Sequence, residues 1–243
     1  MLSIVIPTYN ERENLQVLVP RIFDALSRAG IEGEVIVVDD NSPDGTAGIA
    51  EKLAERHNVR VVRRAGKMGL SSAVLEGFIH ARGDVLCAMD ADLSHPPEAI
   101  PEMMDKLKES DMVFGSRNVT GGGIESWSVY RKVVSRGAAL LARPLTHVRD
   151  PMSGFFMVNR SLLDDADLNP RGFKIGLEIA VRCSPAITEV PIMFRNRTSG
   201  ESKLGAGEVW NYLLHLKGLY LFRMKSRLRP GRGCANHIKS TAK

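Results

Sequence analysis

Through the first half of the chain, short apolar runs alternate with longer stretches in which apolar positions recur every three or four residues. That alternation is how a parallel sheet with crossover helices reads. The runs "LSIVIP", "EVIVVDD", "VRVVR", "DVLCAMD" and "DMVFGS" are expected as strands, with helices of ordinary length between them. In "GLSSAVLEGFIHA" the residues Leu70, Ala73, Val74, Gly77, Phe78 and Ala81 fall at the spacing of one buried stripe. The next helix, "PEAIPEMMDKLKES", starts after Pro96 and Pro97, as a prolyl first turn permits. Pro20 in "NLQVLVPRIFDAL" either kinks that helix or marks a later start. Beyond Gly115 the rhythm changes: "GGG" at 121–123, a helix near Trp127 to Ala142, the stretch "DPMSGFFMVNR", and a strand around "ITEVPIMF".

The last helix, "EVWNYLLHLKGLYLFRMKSRLR", sets Glu208, Asn211, His215 and Gly218 in a narrow polar stripe with apolar residues nearly all round. It reads either as an interfacial or partner-docking segment or as a terminal helix packed on the core. With 243 residues, 44% of them hydrophobic, the chain can furnish an ordinary core. No repeat or long low-complexity segment divides it, so one domain is expected over 1–225, its final helix at about 206–224, with a basic, flexible tail at 226–243.

Charge changes the picture only at that end. The formal net charge is +5, yet from Val209 onward there are eight Lys/Arg and no Asp or Glu, which leaves a slightly acidic body. Such a body repels a polyanion, and the tail past the helix has no aromatic residue to stack on bases, so no nucleic-acid partner is expected. Cys87, Cys183 and Cys234 are far apart and form no CxxC, against both a disulfide framework and a structural zinc site and in favour of a reducing cytosol. "MLSIVIP" lacks the basic start of a signal peptide, and no run of eighteen apolar residues offers a membrane span. The sequons at Asn118, Asn159 and Asn196 are then chance.

In an open parallel sheet, ligands collect at the carboxyl ends of the strands, where loops and helix N-termini face outward. Four strand ends here are polar: "PTYNERE" at 7–13, "DDNSPDGT" at 39–46, "DADLSH" at 90–95 and "GSRN" at 115–118. Alternate residues of an extended segment point to one side, so Asp90 and Asp92 can aim at a single cation. Two carboxylates without His or Cys suit magnesium or manganese shared with substrate phosphates. An isolated DxD is weak evidence and reads more readily as a solvated turn with Asp92 as a cap. Its place after a buried strand, beside three other polar strand ends, favours the ion. One of Asp39 and Asp40 can accept hydrogen bonds from a base or ribose, while "NSPDGT" supplies a turn and a cap. Arg117, Arg131, Arg195, Arg197 and Lys203 are cations suited to phosphate. His95 has no triad partner and is expected in a core or capping role.

Together "IVIPTYNERENL", "VVDDNSPDGT", "GLSSAVLEGF", "MDADLSHPPE", "GSRN", "YRKVVSRG", "DPMSGFF" and "GESKL" resemble the dolichol-phosphate mannosyltransferases, inverting glycosyltransferases of the family 2 type, over residues 2–204. The resemblance implies a single Rossmann-like nucleotide-sugar-binding α/β domain of the GT-A type, its mostly parallel sheet flanked by helices. It implies transfer of mannose from GDP-mannose to dolichyl or polyprenyl phosphate with inversion. On this chain it places Pro7, Tyr9, Glu11, Val38 and Asp40 around the donor, Ala91 against it, and Asp90 and Asp92 on a divalent magnesium or manganese ion. Arg117, Arg131 and Ser135, helped by Arg197 and Lys203, would cradle the lipid phosphate, and Arg117 and Arg131 would join the two aspartates in catalysis. Some relatives have a metal-reaching Gln where this chain has Ser94, which leaves the third ligand open. Others append membrane spans. Here the tail helix or a small membrane subunit would hold the bilayer, making the protein peripheral on the cytosolic face of the endoplasmic reticulum or, in a prokaryote, of the plasma membrane.

An acceptor phosphate with second pKa of about 6 is already anionic at neutral pH, so no general base is expected. The alternatives are a polyprenyl-phosphate glycosyltransferase using another donor such as UDP-glucose, and a non-catalytic nucleotide-sugar-binding subunit of a membrane complex. A nucleotidyltransferase would be expected to open with a Gly-rich basic loop, which "PTYNERE" is not.

Overall fold

Strands β1 (Leu2–Thr8), β2 (Gly33–Asp39), β3 (Val59–Arg63), β4 (Val85–Ala88) and β5 (Met112–Ser116) occupy the five predicted runs. The structure is a computed structural model that describes residues 1–125, 127–164, 166–168, 172–195 and 206–228. Helices α1 (Arg12–Arg28), α2 (Thr46–Ala54), α3 (Leu70–His80) and α4 (Ile100–Lys106) lie between those strands. After β5 come the two-residue strand β6 (Gly123–Ile124), α5 (Val129–Ala142), β7 (Phe156–Asn159), α6 (Ile175–Arg182), β8 (Ile187–Pro191), β9 (Met193–Phe194) and α7 (Ala206–Leu228).

The main sheet has the order β3-β2-β1-β4-β7-β5-β8, with β6 and β9 pairing apart from it. All its pairs are parallel except those of β7, which runs antiparallel between β4 and β5. β7 was not predicted: it lies inside "DPMSGFFMVNR", too short a run to show a period. The expected strand "ITEVPIMF" is split at buried Ile192, β8 extending the main sheet and β9 pairing with β6.

Alternation explains why the strands read as continuous apolar runs. Ile4, Ile6, Val35, Val37, Cys87, Val113 and Met157 pack on the face that carries α1 and α4. Val5, Ile36, Val38, Leu86, Ala88, Phe114 and Phe156 pack on the other, against α3 and α6. With both faces covered, nearly every position is apolar, and such exceptions as Ser3 and Glu34 hydrogen-bond to each other. Helix α3 lies so close to the sheet that a Cβ on Gly77 would stand 2.3 Å from Val5 Cγ1, so no larger residue fits there without a shift. The predicted α3 stripe is buried except Leu70 at its start. Pro20 does not delay α1, which runs from Arg12 to Arg28 with the proline inside it on the exposed side.

Helix α7 belongs to the folded body. Tyr212, Leu216 and Leu219 form a third apolar cluster with Ala142 and Leu145 from α5 and its following turn and with Leu177 and Val181 of α6. The helix runs to Leu228, so the expected boundary at 225/226 falls inside it; residues 229–243, including Cys234, lie outside the described residues. The predicted polar stripe does not face water as one strip: His215 is buried, whereas Trp210, Leu213, Leu221 and Met224 are exposed.

Candidate active site

The carboxyl ends of β1, β2 and β4 lie side by side, and the loops leaving β1 and β2 are laced together. Thr8 Oγ1 donates to Val38 O and to Asp39 Oδ1, both at 3.2 Å. Ser42 donates its amide to Asp39 Oδ2 at 3.0 Å and its hydroxyl to Asp39 Oδ1. Asn10 N donates to Ser42 Oγ, Glu11 N to Thr46 Oγ1, and Arg12 N to Asp44 Oδ2. Asp39 therefore holds the turn. Asp40 is left to the pocket, where its carboxylate meets Arg64 Nη1 at 2.8 Å. Burial raises the Asp40 pKa above its ordinary value, against the opposing charge of Arg64.

Tyr9 lies beside this pair with Lys67 Nζ 3.4 Å from its ring centroid, a cation–π contact. Pro7 lines a crevice shared with Asp90, Gly154 and Phe173. Glu11 is half-buried and accepts a hydrogen bond from Asn14 Nδ2 at 2.6 Å. Val38 and Ala91 do not offer side chains here: both are packed in the core, so only their backbone can face a ligand.

At the end of β4 the two aspartates are held differently. Asp92 Oδ1 accepts the Ser94 amide at 3.1 Å and the Ser94 hydroxyl at 2.5 Å, an Asx turn for which Leu93 takes φ +62°. Ser94 is wholly buried behind Asp92, so its hydroxyl aims that carboxylate and does not extend the ligand set. Asp90 keeps 28% of its side chain exposed, and its carboxylate accepts no hydrogen bond among the described residues. A Cβ at Gly154 would stand 3.0 Å from Asp90 Oδ2, so glycine there leaves that oxygen clear. The pair fits a hard divalent cation that takes its remaining oxygens from a ligand. Among the described residues no cluster of three or more His, Cys, Asp or Glu forms a cage that could hold one alone.

His95 has the predicted structural role. It is buried, stacks on Phe155 with centroids 5.3 Å apart, and its Nδ1 accepts the Asp90 amide at 3.4 Å. Burial lowers its pKa, so the ring is neutral at physiological pH and steadies the Asp90 backbone without adding charge.

The cations meet this corner from the later half of the chain. Arg117 is buried, and its fork is engaged by Asp150: Nε to Oδ2 at 2.6 Å and Nη2 to Oδ1 at 2.7 Å. Two of its donor positions are thus taken by Asp150, and its Nη1 edge remains. Burial alone would raise Asp150, but hydrogen bonds and charge from Arg117 hold it below the usual carboxylate range. Arg117 and Arg131 both lie against the Trp127 ring, at 5.3 and 4.0 Å from its centroid. Ser135 follows Arg131 by one turn of α5 and is half-buried. Arg195 is exposed, its Nε 3.9 Å from Glu125 Oε1, and its amide donates to Ser94 O. Arg197, Lys203 and "GESKL" lie outside the described residues.

Three residues here escaped sequence reasoning. Lys174, just before α6, donates from Nζ to Met152 O at 2.6 Å. Burial, then repulsion from Arg117, lowers its pKa to about 8, with Asp90 and Asp150 acting the other way. Asp150 was visible only as part of "DPMSGFF", and Trp127 only as a helix boundary. No local pattern marks any of the three, because each acts on a residue that folding alone brings near.

The glycosyl transferase family 2 model matches residues 3–166. The chain is 46% identical over 220 residues to the dolichol-phosphate mannosyltransferase of Pyrococcus furiosus, an alignment covering 88% of this chain and 62% of that protein. It is 42% identical over 233 residues to the dolichol-phosphate mannosyltransferase of Saccharomyces cerevisiae, covering 91% of this chain and 87% of that one. Among solved structures, glucosyl-3-phosphoglycerate synthase from Mycobacterium tuberculosis, in complex with Mn2+, UDP and glucosyl-3-phosphoglycerate, superposes with a TM-score of 0.64 at 23% identity, over 92% of this chain and 79% of that one. The mannosyltransferase PcManGT from Pyrobaculum calidifontis, in complex with GDP-Man and Mn2+, does so at 0.62 and 19%, over 92% and 64%. The structural likenesses establish the fold, and the sequence matches establish the lineage: this chain belongs to glycosyl transferase family 2, in the branch of the dolichol-phosphate mannosyltransferases.

Proposed function

We propose that the protein transfers mannose from GDP-mannose to a dolichyl or polyprenyl phosphate with inversion, giving the lipid-phosphate β-mannose and GDP. The observation that carries this reading is the convergence, on one sheet edge, of the Asp40 pocket, the Asp90/Asp92 pair and the cations Lys174, Arg117 and Arg131. The names of the sequence relatives, and the GDP-Man and Mn2+ of one structural neighbour, point the same way.

Tyr9 and Asp40 would take the guanosine, the carboxylate accepting hydrogen bonds from the base or ribose. Asp90 and Asp92 would hold Mg2+ or Mn2+, which when bound neutralises charge on the diphosphate as it departs. Lys174 supplies a protein cation to the same leaving group. Arg131, beside Trp127, orients the acceptor phosphate, with Ser135 a turn further along the helix. A phosphate oxygen forms the new bond at the anomeric carbon as the bond to the diphosphate breaks and its electron pair leaves with GDP. No proton moves in that step, so the protein's task is alignment and charge stabilisation.

The surface of α5 and α7 suits attachment to a bilayer. Leu140 is 68% and Trp210 62% exposed, with Val133, Leu141, Leu213, Leu221 and Met224 also outward. No helix among the described residues is long and apolar enough to cross a membrane. The two helices would lie in the interface, alone or with a small membrane subunit, as a peripheral attachment.

The test is purified full-length protein in liposomes with polyprenyl phosphate and added Mg2+ or Mn2+, given radiolabelled GDP-mannose or UDP-glucose. Transfer from GDP-mannose into the lipid fraction is expected. Transfer from UDP-glucose alone would overturn the donor assignment, and none from either would overturn the catalytic reading.

A further inference from the structure

Helix α7 meets the domain through a polar cluster that the chemistry above does not use. Glu178 of α6 is fully buried, with Arg182 Nε 2.9 Å from one of its oxygens and His215 Nε2 3.1 Å from the other. A carboxylate only accepts, so Nε2 carries the ring proton and donates it. His215 Nδ1 is then turned elsewhere, sealed from bulk water and with no hydrogen-bond partner. Buried polar atoms are rarely left so.

His215 also lines a cavity of about 310 Å³, together with Arg182, Leu214, Lys217, Gly218, Leu219 and Leu221. Two of these seven residues are cations. Glu178 compensates one of them, Asp167 approaches Arg182 at 3.7 Å from an exposed position, and Arg223 lies nearby, bonded to Ser184 Oγ. The wall is therefore net positive. A Cβ on Gly218 would meet nothing within 4 Å, so the mouth is open. Beside it, Trp210, Leu213, Lys217, Leu221 and Met224 follow one another along the outer side of α7, an apolar exposed stripe with one cation at its centre.

Positive wall and adjoining apolar stripe match one class of ligand. We propose that this cavity binds the headgroup of an anionic phospholipid, its phosphate between Arg182 and Lys217 and its acyl chains along Leu213 and Leu221. The site is separate from the transfer site: Arg182 ends α6, whose opposite end follows Lys174, and eight helical residues span about 12 Å. The inference rests on α7 lying at a bilayer surface and gives that surface a lipid preference.

The experiment is NMR of full-length protein with isotope-labelled histidine, following the His215 ring, assigned by its loss in H215Q. Short-chain phosphatidylglycerol, short-chain phosphatidylcholine (both below their micelle concentrations) and inorganic phosphate are titrated separately. Phosphatidylglycerol is expected to shift the His215 signals saturably, about tenfold more tightly than phosphatidylcholine, and K217Q, an exposed change, to weaken it about tenfold, with K217R restoring it. An equal response to inorganic phosphate would show a simple anion site and overturn the lipid assignment. No saturable shift, or an unchanged affinity in K217Q, would overturn the site itself. Mannose transfer is not read in this titration, so a failed transfer assay with an intact lipid response would refute the catalytic reading alone.

Discussion

Arg117 and Asp150, 33 residues apart in sequence, close a two-pronged ion pair whose side chains are almost fully buried. Asp150 also accepts the Arg117 amide at 3.0 Å, and its own amide donates to Glu189 Oε1 at 3.1 Å. The carboxylate thus fixes the arginine by side chain and backbone together, and the arginine presents only its remaining edge to the site.

Removing the carboxylate should strand a buried cation. D150A is expected to lose about 3–5 kcal/mol of stability by chemical denaturation, the cost of breaking a buried pair from one side. D150N keeps the shape and should lose less. If D150A unfolds at the wild-type denaturant midpoint, the pair is not the anchor described.

Lys174 gives opposite pH trends for catalysis and stability. Its pKa, lowered to about 8 by burial and Arg117, means that the cation fades as pH rises through that value, so transfer should fall on the alkaline side with a midpoint near 8. Between about 8 and the ordinary 10.5 the unfolded chain binds this proton and the folded chain does not, so this residue makes stability rise with pH across that window. K174M should abolish the 8-centred limb in a pH–rate profile. A limb that persists in K174M belongs to another group.

In the proposed metal site, Ser94 would act on the ion through Asp92. S94A removes the hydroxyl that aims Asp92 Oδ1 and is expected to raise the Mn2+ concentration for half-maximal activity by roughly 10–100-fold, the usual cost of losing a partner of a metal ligand. Saturating Mn2+ should recover most of the rate. D92A should not recover at any concentration.

Helix α7 is part of the core, so it cannot be cut away cleanly. L219A, at a position 1% exposed, should cost about 2–5 kcal/mol. A chain ending at residue 205 should show a broadened or absent thermal transition. A sharp transition at the full-length Tm would mean that α7 docks only loosely.

Much of this was readable along the chain. Five strands and the stripe of α3 follow from local periodicity, because a strand buried on both faces must be apolar nearly throughout and a helix buried on one face must repeat its apolar positions every turn. The DxD was legible through its place after β4. The antiparallel β7 was not, since a four-residue strand inserted between β4 and β5 has too few positions to announce either its period or its direction.

Among the candidate site residues, the sequence placed Asp90 and Asp92 just past β4 but could not divide labour between neighbours elsewhere. Asp39 and Asp40 look alike in sequence; Thr8 at the end of β1 and Ser42 in the loop after β2 claim the first and leave the second to the pocket. Ser94 could be placed near the metal, yet only its hydrogen bond shows that it acts on Asp92.

What the amino-acid sequence by itself determined is the class of fold and the edge of the sheet at which its polar strand ends gather. These depend on patterns within a few residues, where backbone geometry dictates which side chains share a face. Only the tertiary structure decided that Asp150 engages the fork of Arg117, that Lys174 joins the aspartates, and that His215 turns inward to Glu178. Such pairings join residues tens of positions apart, and their energies depend on burial and distance, which exist only once the chain has closed on itself.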